Sequence, residues 1–199
     1  MPKPEPTKEQ LLKTRDDTVD HIIAVRGSLD GVANQLRVRG KNHDRSKLSN
    51  EELPHFAVAS SLKTLKYGSR EYKQALKGLG PALTHHYCNN RHHPEHFDNG
   101  LPDMNLVDMI EMLCDWNCAA ARHDSEHNVF KSINHNRMRF HIHYQMACVL
   151  WNTAITVLGE EPEEGYEMTM VAVCSECDTW QDPHNSKCES CGAKELREV

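Results

Sequence analysis

Apolar side chains recur at intervals of three and four residues along the first forty positions of the chain. The run over residues 11–36 keeps this spacing throughout, which predicts one long amphipathic helix. Thr7-Lys-Glu-Gln10 has the spacing of a capping box at its start, and Gly40 provides a stop at its end. His21 shares the apolar stripe, so the pattern predicts that its side chain points inward.

Helical patterns continue along the chain. Ser49-Asn-Glu-Glu52 repeats the capping-box spacing and predicts a second helix, although Pro54 falls in its first turn. Tyr67-Gly68-Ser69 predicts a break between helices. Further helices are predicted from about Arg70 to Asn89 with a disturbance at Gly78–Pro81, from Asn105 to about Arg122, and from Arg137 to Leu158. The sequence therefore predicts an all-α domain over residues 1–160, a charged linker over 161–170 and a small module over 171–199.

Charge and composition narrow the class of protein. The formal net charge of −6 at pH 7 argues against a nucleic-acid coat protein or a protein that binds membrane surfaces. No stretch resembles a signal peptide or reaches membrane-spanning length, so we expect a cytoplasmic protein with no membrane partner. Without a signal peptide, the eight cysteines are expected to be reduced thiols.

Four cysteines near the C-terminus have the spacing of a metal site. Two C-x-x-C pairs, Cys174 with Cys177 and Cys188 with Cys191, are separated by ten residues, as in tetrahedral four-cysteine zinc sites. A module of this size needs a metal or a disulfide to fold; disulfides and free thiols are the alternatives to zinc. The pattern resembles a zinc ribbon, whose closed set of thiolates is structural.

The charge of this module bears on its partner. Residues 171–199 carry three Lys/Arg against six Asp/Glu, which disfavours binding to a phosphate backbone. A protein partner, self-association or simple stabilisation fits the ribbon better, and direct binding of nucleic acid is not expected.

A second group of metal-ligating residue types lies in the helical region. His43-Asp44 follows the first helix, a histidine cluster comes later, and Asp115 lies on a predicted helix. The cluster comprises His85, His86, His92, His93 and His96. Imidazole and carboxylate groups bind divalent metals, and such metals activate water. Taken singly, each residue also fits a core histidine or a polar surface. Between His85 and His86 the pattern favours His86, which continues the Leu79–Leu83 face.

The order of these residues resembles the HD superfamily of metal-dependent phosphohydrolases, an all-α fold, over roughly residues 15–120. By position, the resemblance implies one metal-binding set of His21, His43, Asp44 and Asp115, and a second set of His86, His92 and His93. His43-Asp-Arg-Ser-Lys47 is similar to the H-D-x-x-K form of two-metal HD phosphodiesterases. Over the whole domain, the chain also resembles an uncharacterised family of phage and bacterial proteins with HD-x-S-K and H-H-P-E-H motifs.

This resemblance implies hydrolysis of a phosphoester or phosphoanhydride in a nucleotide-like substrate, such as a nucleotide, dinucleotide or cyclic dinucleotide. Asp44 would act at a centre of one or two Mn, Fe, Co, Mg or Ni ions, and Lys47 would bind a phosphate oxygen. Gly100-Leu-Pro102 departs from the glycine-tyrosine-proline element of cyclic-dinucleotide phosphodiesterases, so the substrate is not carried over. The alternative is a non-catalytic metal-binding adaptor or nucleotide sensor whose ribbon binds a protein partner.

Overall fold

The structure, a computed structural model, describes residues 5–58, 69–121, 128–181, 187–194 and 196–198. It divides the chain into two compact units, residues 1–43 and residues 44–199. Most of the described residues are helical, and the described strands form one small sheet near the C-terminus. The predicted class, all-α with a small cysteine-bearing module, is confirmed. Within the described part of the chain, no helix combines the length and apolar character needed to cross a membrane.

The described part of the first unit is built on one helix, α1 (Lys8–Asn42). Its predicted capping box is confirmed, because the Gln10 backbone donates to the Thr7 hydroxyl and the Thr7 backbone donates to the Gln10 side chain. Taken by itself, the described part of this unit does not bury the predicted apolar stripe: no residue of α1 is buried, and His21 is exposed. The described residues of this unit form no second helix or strand against which the stripe could pack.

Six helices lie in the described residues of the second unit. They are α2 (Leu53–Val58), α3 (Arg70–Gly78), α4 (Gly80–Asn89), α5 (Leu106–Ala120), α6 (Val129–Phe140) and α7 (Tyr144–Thr156). Short 3₁₀ turns occur at Arg45–Leu48, Pro94–His96 and Leu101–Asp103. The last two lie in the loop between α4 and α5, which carries most of the histidine cluster.

Helix boundaries follow the local sequence signals in most places. The helix predicted to open after Ser49 begins at Leu53, so that Pro54 lies in its first turn, where a backbone donor is not needed. The predicted disturbance is the boundary between α3 and α4, where Gly80 has a φ of 44°. Tyr67 and Gly68, from the predicted break, lie outside the described residues. The predicted start of α5 is confirmed, with Asn105 as its capping residue.

The helix predicted over residues 137–158 is wrong, because the structure has two helices there. The chain leaves α6 at His141, which adopts a left-handed φ of 53°, and α7 starts three residues later. Ile142, between them, is buried. The break was hidden in the sequence because it contains neither glycine nor proline, and because the buried Ile142 continues the apolar pattern.

Helices α5, α6 and α7 share one hydrophobic core. Its buried members are Met112, Leu113, Trp116, Val129, Phe130, Ile133, Ile142, Ala147, Leu150 and Ala154. One face of α5 packs against this core. The neighbouring face, which carries Glu111 and Asp115, contacts His92 of the loop that precedes α5. The core thus fixes the helix that supports the histidine cluster.

The C-terminal sheet has three short antiparallel strands in the order β2-β1-β3. They are β1 (Ala172–Cys174), β2 (Trp180–Gln181) and β3 (Leu196–Glu198). Val173 of the central strand pairs with Trp180 on one side and with Arg197 on the other. All residues of β1 are buried, as expected for the central strand of the sheet.

The module is held against the helices by polar and aromatic contacts. The Trp180 ring stacks on His141, with centroids 5.0 Å apart and planes 14° from parallel. Arg137 is fully buried and donates to the backbone carbonyls of Ile142 and Thr169. Asn134 accepts a hydrogen bond of 2.9 Å from the Thr169 backbone. The segment just before β1, predicted from sequence as a linker, is therefore hydrogen-bonded to α6.

Candidate metal centres

Two buried imidazoles converge on one carboxylate in the second unit. The Nε2 atoms of His86, in α4, and His92, in the following loop, lie 3.4 and 3.6 Å from Oδ1 of Asp44. Nε2 of His93 lies 2.9 Å from Nε2 of His86. Ligand atoms from these four residues all lie within 4.8 Å of one another, a spacing that one metal ion can bridge. We call Asp44, His86, His92 and His93 the histidine–aspartate centre.

A carboxylate lies behind each of the two buried imidazoles. Oε2 of Glu52, which is fully buried, lies 3.0 Å from Nδ1 of His86. Oε1 of Glu111 lies 3.2 Å from Nδ1 of His92. In the tautomer that carries its hydrogen on Nδ1, each imidazole would face its carboxylate with that hydrogen and direct the lone pair of Nε2 toward Asp44. Metal-binding histidines are commonly oriented by carboxylates in this way.

The protonation of His86 also suits metal binding. Burial lowers the pKa of its imidazole, and the charge of Lys47 acts in the same direction. Asp44 and Glu52 oppose this change, and the pKa remains below its ordinary value. Since the neutral imidazole is the form that binds metals, His86 can serve as a ligand at neutral pH.

Asp44 divides its two oxygens between different partners. It has a left-handed φ of 57°, a conformation that aspartate tolerates better than most residues, at the start of the 3₁₀ turn Arg45–Leu48. Oδ1 faces the imidazoles, and Oδ2 lies 2.6 Å from Nζ of Lys47. The Lys47 side chain is 37% exposed, so this contact is only partly shielded from solvent.

Polar contacts fasten the 3₁₀ turn to α4. The Asn90 side-chain amide donates to the Ser46 hydroxyl and to the His86 carbonyl, each at 2.7 Å. Glu52 contacts His85 as well as His86, with 2.7 Å between its Oε1 and Nδ1 of His85. Residues 33 to 44 positions apart in sequence are thereby held in a fixed relation around the centre.

The loop that carries His92 and His93 is anchored to α5 by an ion pair. Arg91 donates to Oδ1 and Oδ2 of Asp108 at 3.1 and 2.9 Å, and Asp108 is fully buried. This two-point geometry fixes orientation as well as distance. Arg91 is therefore engaged in holding the loop, and the neighbouring His92 is placed by it.

The remaining residues predicted for the site lie at different distances from it. Oδ2 of Asp115 is 4.0 Å from Nε2 of His92, beside the centre. His43 is the C-cap of α1 and immediately precedes Asp44 in the chain. His21 is exposed, and it precedes His43 by 22 residues of continuous helix, about 33 Å along the axis. His85 contacts Glu52 and, unlike His86, is not among the grouped ligand atoms.

Glu52 is the residue of this site that sequence reasoning missed. In the sequence it looks like the last residue of a capping box, one of two adjacent glutamates near a helix start. Its contact with His86 spans 34 positions, and nothing in the spacing marks it. Only its complete burial distinguishes it from the exposed Glu51.

The four cysteines form a separate cluster in the module. Sγ of Cys174 lies 3.6 Å from that of Cys191, and Sγ of Cys177 lies 3.5 Å from that of Cys188. All four sulfur atoms lie within 4.8 Å of one another. Hydrogen bonds from Thr179 lower the pKa of Cys177 to about 6, which favours the metal-binding thiolate.

The backbone of the two C-x-x-C turns also supports thiolates. The amide of Glu176 donates to Sγ of Cys174, and the amide of Ser190 donates to Sγ of Cys188, each at 3.4 Å. The two turns therefore have the same local geometry, and together they form a cluster that could hold one metal ion.

Comparison with protein families identifies one match. A model of DUF5662, a family of unknown function, matches residues 10–156. The chain belongs to this family. The region that matches DUF5662 contains every residue of the histidine–aspartate centre, and the four cysteines lie beyond it. Neither the curated proteins nor the solved structures provide a match.

Proposed function

We propose that the protein is a metal-dependent phosphohydrolase that acts on a nucleotide-like phosphoester or phosphoanhydride at its histidine–aspartate centre. The observation that carries this proposal is the convergence of His86 Nε2 and His92 Nε2 on Asp44 Oδ1. Lone pairs brought together in a buried place repel one another, and a divalent cation among them would offset that repulsion.

The ligand set indicates which ions fit. Of the expected ions, Fe and Ni suit imidazole nitrogen, and Mn and Mg suit carboxylate oxygen. Asp115, beside His92, offers a further oxygen with which a second ion could be bound. A divalent ion held by these residues would lower the pKa of a bound water molecule and so provide a nucleophile for attack on phosphorus.

Asp44 and Lys47 would have distinct roles in this reaction. Asp44 would bind the ion through Oδ1, the oxygen that faces the imidazoles. Lys47 contacts the other oxygen and is partly exposed, so it can turn toward an arriving phosphate and neutralise the charge that develops there. A cation flanked by a lysine favours an anionic substrate.

Resemblance supports the class of reaction. The order of His43-Asp44, the later histidines and Asp115 is similar to that in HD-superfamily phosphohydrolases, many of which act on nucleotides. The nucleotide-like substrate is proposed on this basis.

For the module, we propose one structural zinc bound by Cys174, Cys177, Cys188 and Cys191. Four thiolates fill a tetrahedral site and leave no position for a substrate, so this ion would stabilise the fold. The excess of acidic residues in the module favours a protein partner over nucleic acid.

The proposal is tested by metal analysis and phosphatase assays of the full chain. Wild-type protein purified without chelators should contain one zinc and one or two further divalent ions per chain. It should hydrolyse bis(p-nitrophenyl) phosphate or a member of a nucleotide panel in the presence of Mn²⁺. Asp44→Ala should lose the further ions and the turnover and keep the zinc. Asp16→Ala, at an exposed aspartate of α1, is the matched control and should behave as wild type.

Two results would overturn the proposal in different ways. If the further ions are absent and metal add-back fails, the centre is not a metal site. If metal binds without turnover of any substrate, the adaptor or sensor function replaces the enzyme. A sensor would be recognised by an increase in Tm with nucleotide in the absence of product.

A further inference from the structure

Helix α1 has an apolar face that the described part of its own unit does not cover. No residue of α1 is buried, and Ile22 and Leu29 are 58% and 63% exposed. An isolated helix is marginally stable in water and takes most of its stability from packing of such a face. A continuous apolar row of this length on a soluble protein usually marks a contact surface.

The spacing of this face fits a second helix. Two series of residues repeat every seven positions and alternate at steps of three and four. One series is Ile22, Leu29 and Leu36, preceded by Arg15, and the other is Leu11, Thr18, Val25 and Val32, followed by Arg39. These are the a and d positions of a heptad pattern, and a repeat of 3.5 residues favours left-handed coiled-coil packing.

The charges of α1 indicate what kind of helix would pair with it. Residues 8–24 have a net charge of −1, with Asp16, Asp17 and Asp20 close together. Residues 25–42 have a net charge of +3. A second copy in the antiparallel direction places the half of net charge −1 beside the half of net charge +3, whereas a parallel copy places the two +3 halves together.

We propose that α1 pairs with α1 of a second copy of this chain in an antiparallel coiled coil, so that the protein is a homodimer. An identical helix supplies both the seven-residue repeat and the complementary charge. This assembly is independent of the proposed phosphohydrolase activity, because no residue of the histidine–aspartate centre belongs to the interface.

Mass measurement by light scattering after size exclusion tests the dimer. The wild-type chain should have twice its 22.8 kDa mass. Leu29→Lys should raise the dissociation constant by about 100-fold, since one buried leucine is lost from each chain. Val38→Lys is the matched control: Val38 is also exposed and apolar, but nine residues separate it from Leu29, which places it on the opposite face. This variant should remain dimeric.

The orientation is tested by lysine cross-linking of unmodified wild-type protein, mixed from isotope-labelled and unlabelled chains. An antiparallel pair should give cross-links between Lys13 of one chain and Lys41 of the other. Within one helix these lysines are about 42 Å apart, too far for a short linker. Because this measurement uses the native chain, it holds even if Leu29→Lys fails to fold.

Several results would overturn the inference. A monomeric wild-type chain at concentrations near 100 µM would exclude the dimer, and cross-links from Lys13 to residues 44–199 of the same chain would show that α1 is covered by its own second unit. A dimer that Leu29→Lys leaves intact would assign the interface elsewhere. Cross-links between Lys13 of both chains would replace the antiparallel arrangement by a parallel one.

Discussion

The four-cysteine module and the histidine–aspartate centre both gather metal-ligating side chains, but they are assembled in opposite ways. The module draws its ligands from residues 174–191, through two turns of the same local geometry. The centre draws Asp44 from a 3₁₀ turn, His86 from α4 and two histidines from the next loop. Local spacing brings the cysteines together, whereas tertiary packing brings the histidines and the aspartate together.

The surroundings of the two clusters differ as well. In the module, the groups that contact sulfur are the other sulfur atoms, backbone amides and Thr179. At the centre, Glu52 and Glu111 lie behind the imidazoles, and the partly exposed Lys47 contacts Asp44. Helix α5, which supports the centre, packs into the core that it shares with α6 and α7, and no residue of the centre belongs to that core. We therefore expect metal removal to unfold the module and to leave the fold around the centre intact.

The largest expected loss of stability comes from removing two zinc ligands, and it should be confined to the module. Cys174→Ser with Cys177→Ser should abolish binding of one zinc per chain and unfold residues 171–199. Structural zinc contributes about 10–16 kcal/mol in small zinc-binding peptides, far more than a core of this size supplies. Metal analysis should show loss of that zinc, and the emission of Trp180 should shift to longer wavelength as its stack on His141 is lost.

The matched control for this variant is Cys114→Ser with Cys118→Ser, a cysteine pair on α5 outside the module. It should keep the zinc. The metal of the histidine–aspartate centre should be retained in both variants. Loss of helical circular dichroism from the whole chain in the module variant would contradict the independence of the two regions.

The same contrast explains how much the sequence could predict. The cysteine cluster follows from two short spacings, because a C-x-x-C turn is a local structure that needs no knowledge of the fold. The residue types of the histidine–aspartate centre were also visible in the sequence, and the structure places Asp44, His86, His92 and His93 together. The assignment of His21 depends on tertiary placement, and the structure describes that residue as an exposed one.

Long-range packing accounts for what sequence reasoning missed. Glu52 has the pattern of a helix-start residue, and its role follows only from its burial against His86. The apolar stripe of α1 predicted burial, but periodicity shows that a face needs a partner and does not say which partner. The break at His141 lacks glycine and proline, so the backbone conformation could not be read from composition.

The second-largest expected effect is on metal affinity at the histidine–aspartate centre. It tests whether the carboxylate behind His86 orients that ligand. Glu52→Gln should weaken metal binding at the centre by about 10- to 100-fold, because the amide no longer fixes the Nδ1 hydrogen of His86 with a charge. Titration calorimetry with Mn²⁺ should measure this change against wild type. The zinc of the module, whose four cysteines form a separate cluster, should be unchanged.

Glu51→Gln is the control, since it alters the adjacent but exposed carboxylate. It should bind Mn²⁺ as tightly as wild type does. Equal Mn²⁺ affinity in the Glu52→Gln variant would mean that backbone packing alone orients His86. The carboxylates behind the imidazoles would then not be a functional difference between the centre and the module.

The smallest expected effect is on the free energy of unfolding. It tests whether the module and the helical region are coupled through packing. Trp180 stacks on His141 and meets His143 edge-on at 5.5 Å. Each aromatic contact of this kind stabilises a fold by about 0.5–1.5 kcal/mol. Trp180→Ala should therefore lower the free energy of unfolding by about 1–3 kcal/mol, measured by urea denaturation, while both metal contents stay at their wild-type values. Trp180→Phe should recover most of the loss, because a phenyl ring can still stack.

If Trp180→Ala instead weakened Mn²⁺ binding at the histidine–aspartate centre, the two regions would be energetically linked through α6, and a partner bound to the module could then regulate the centre.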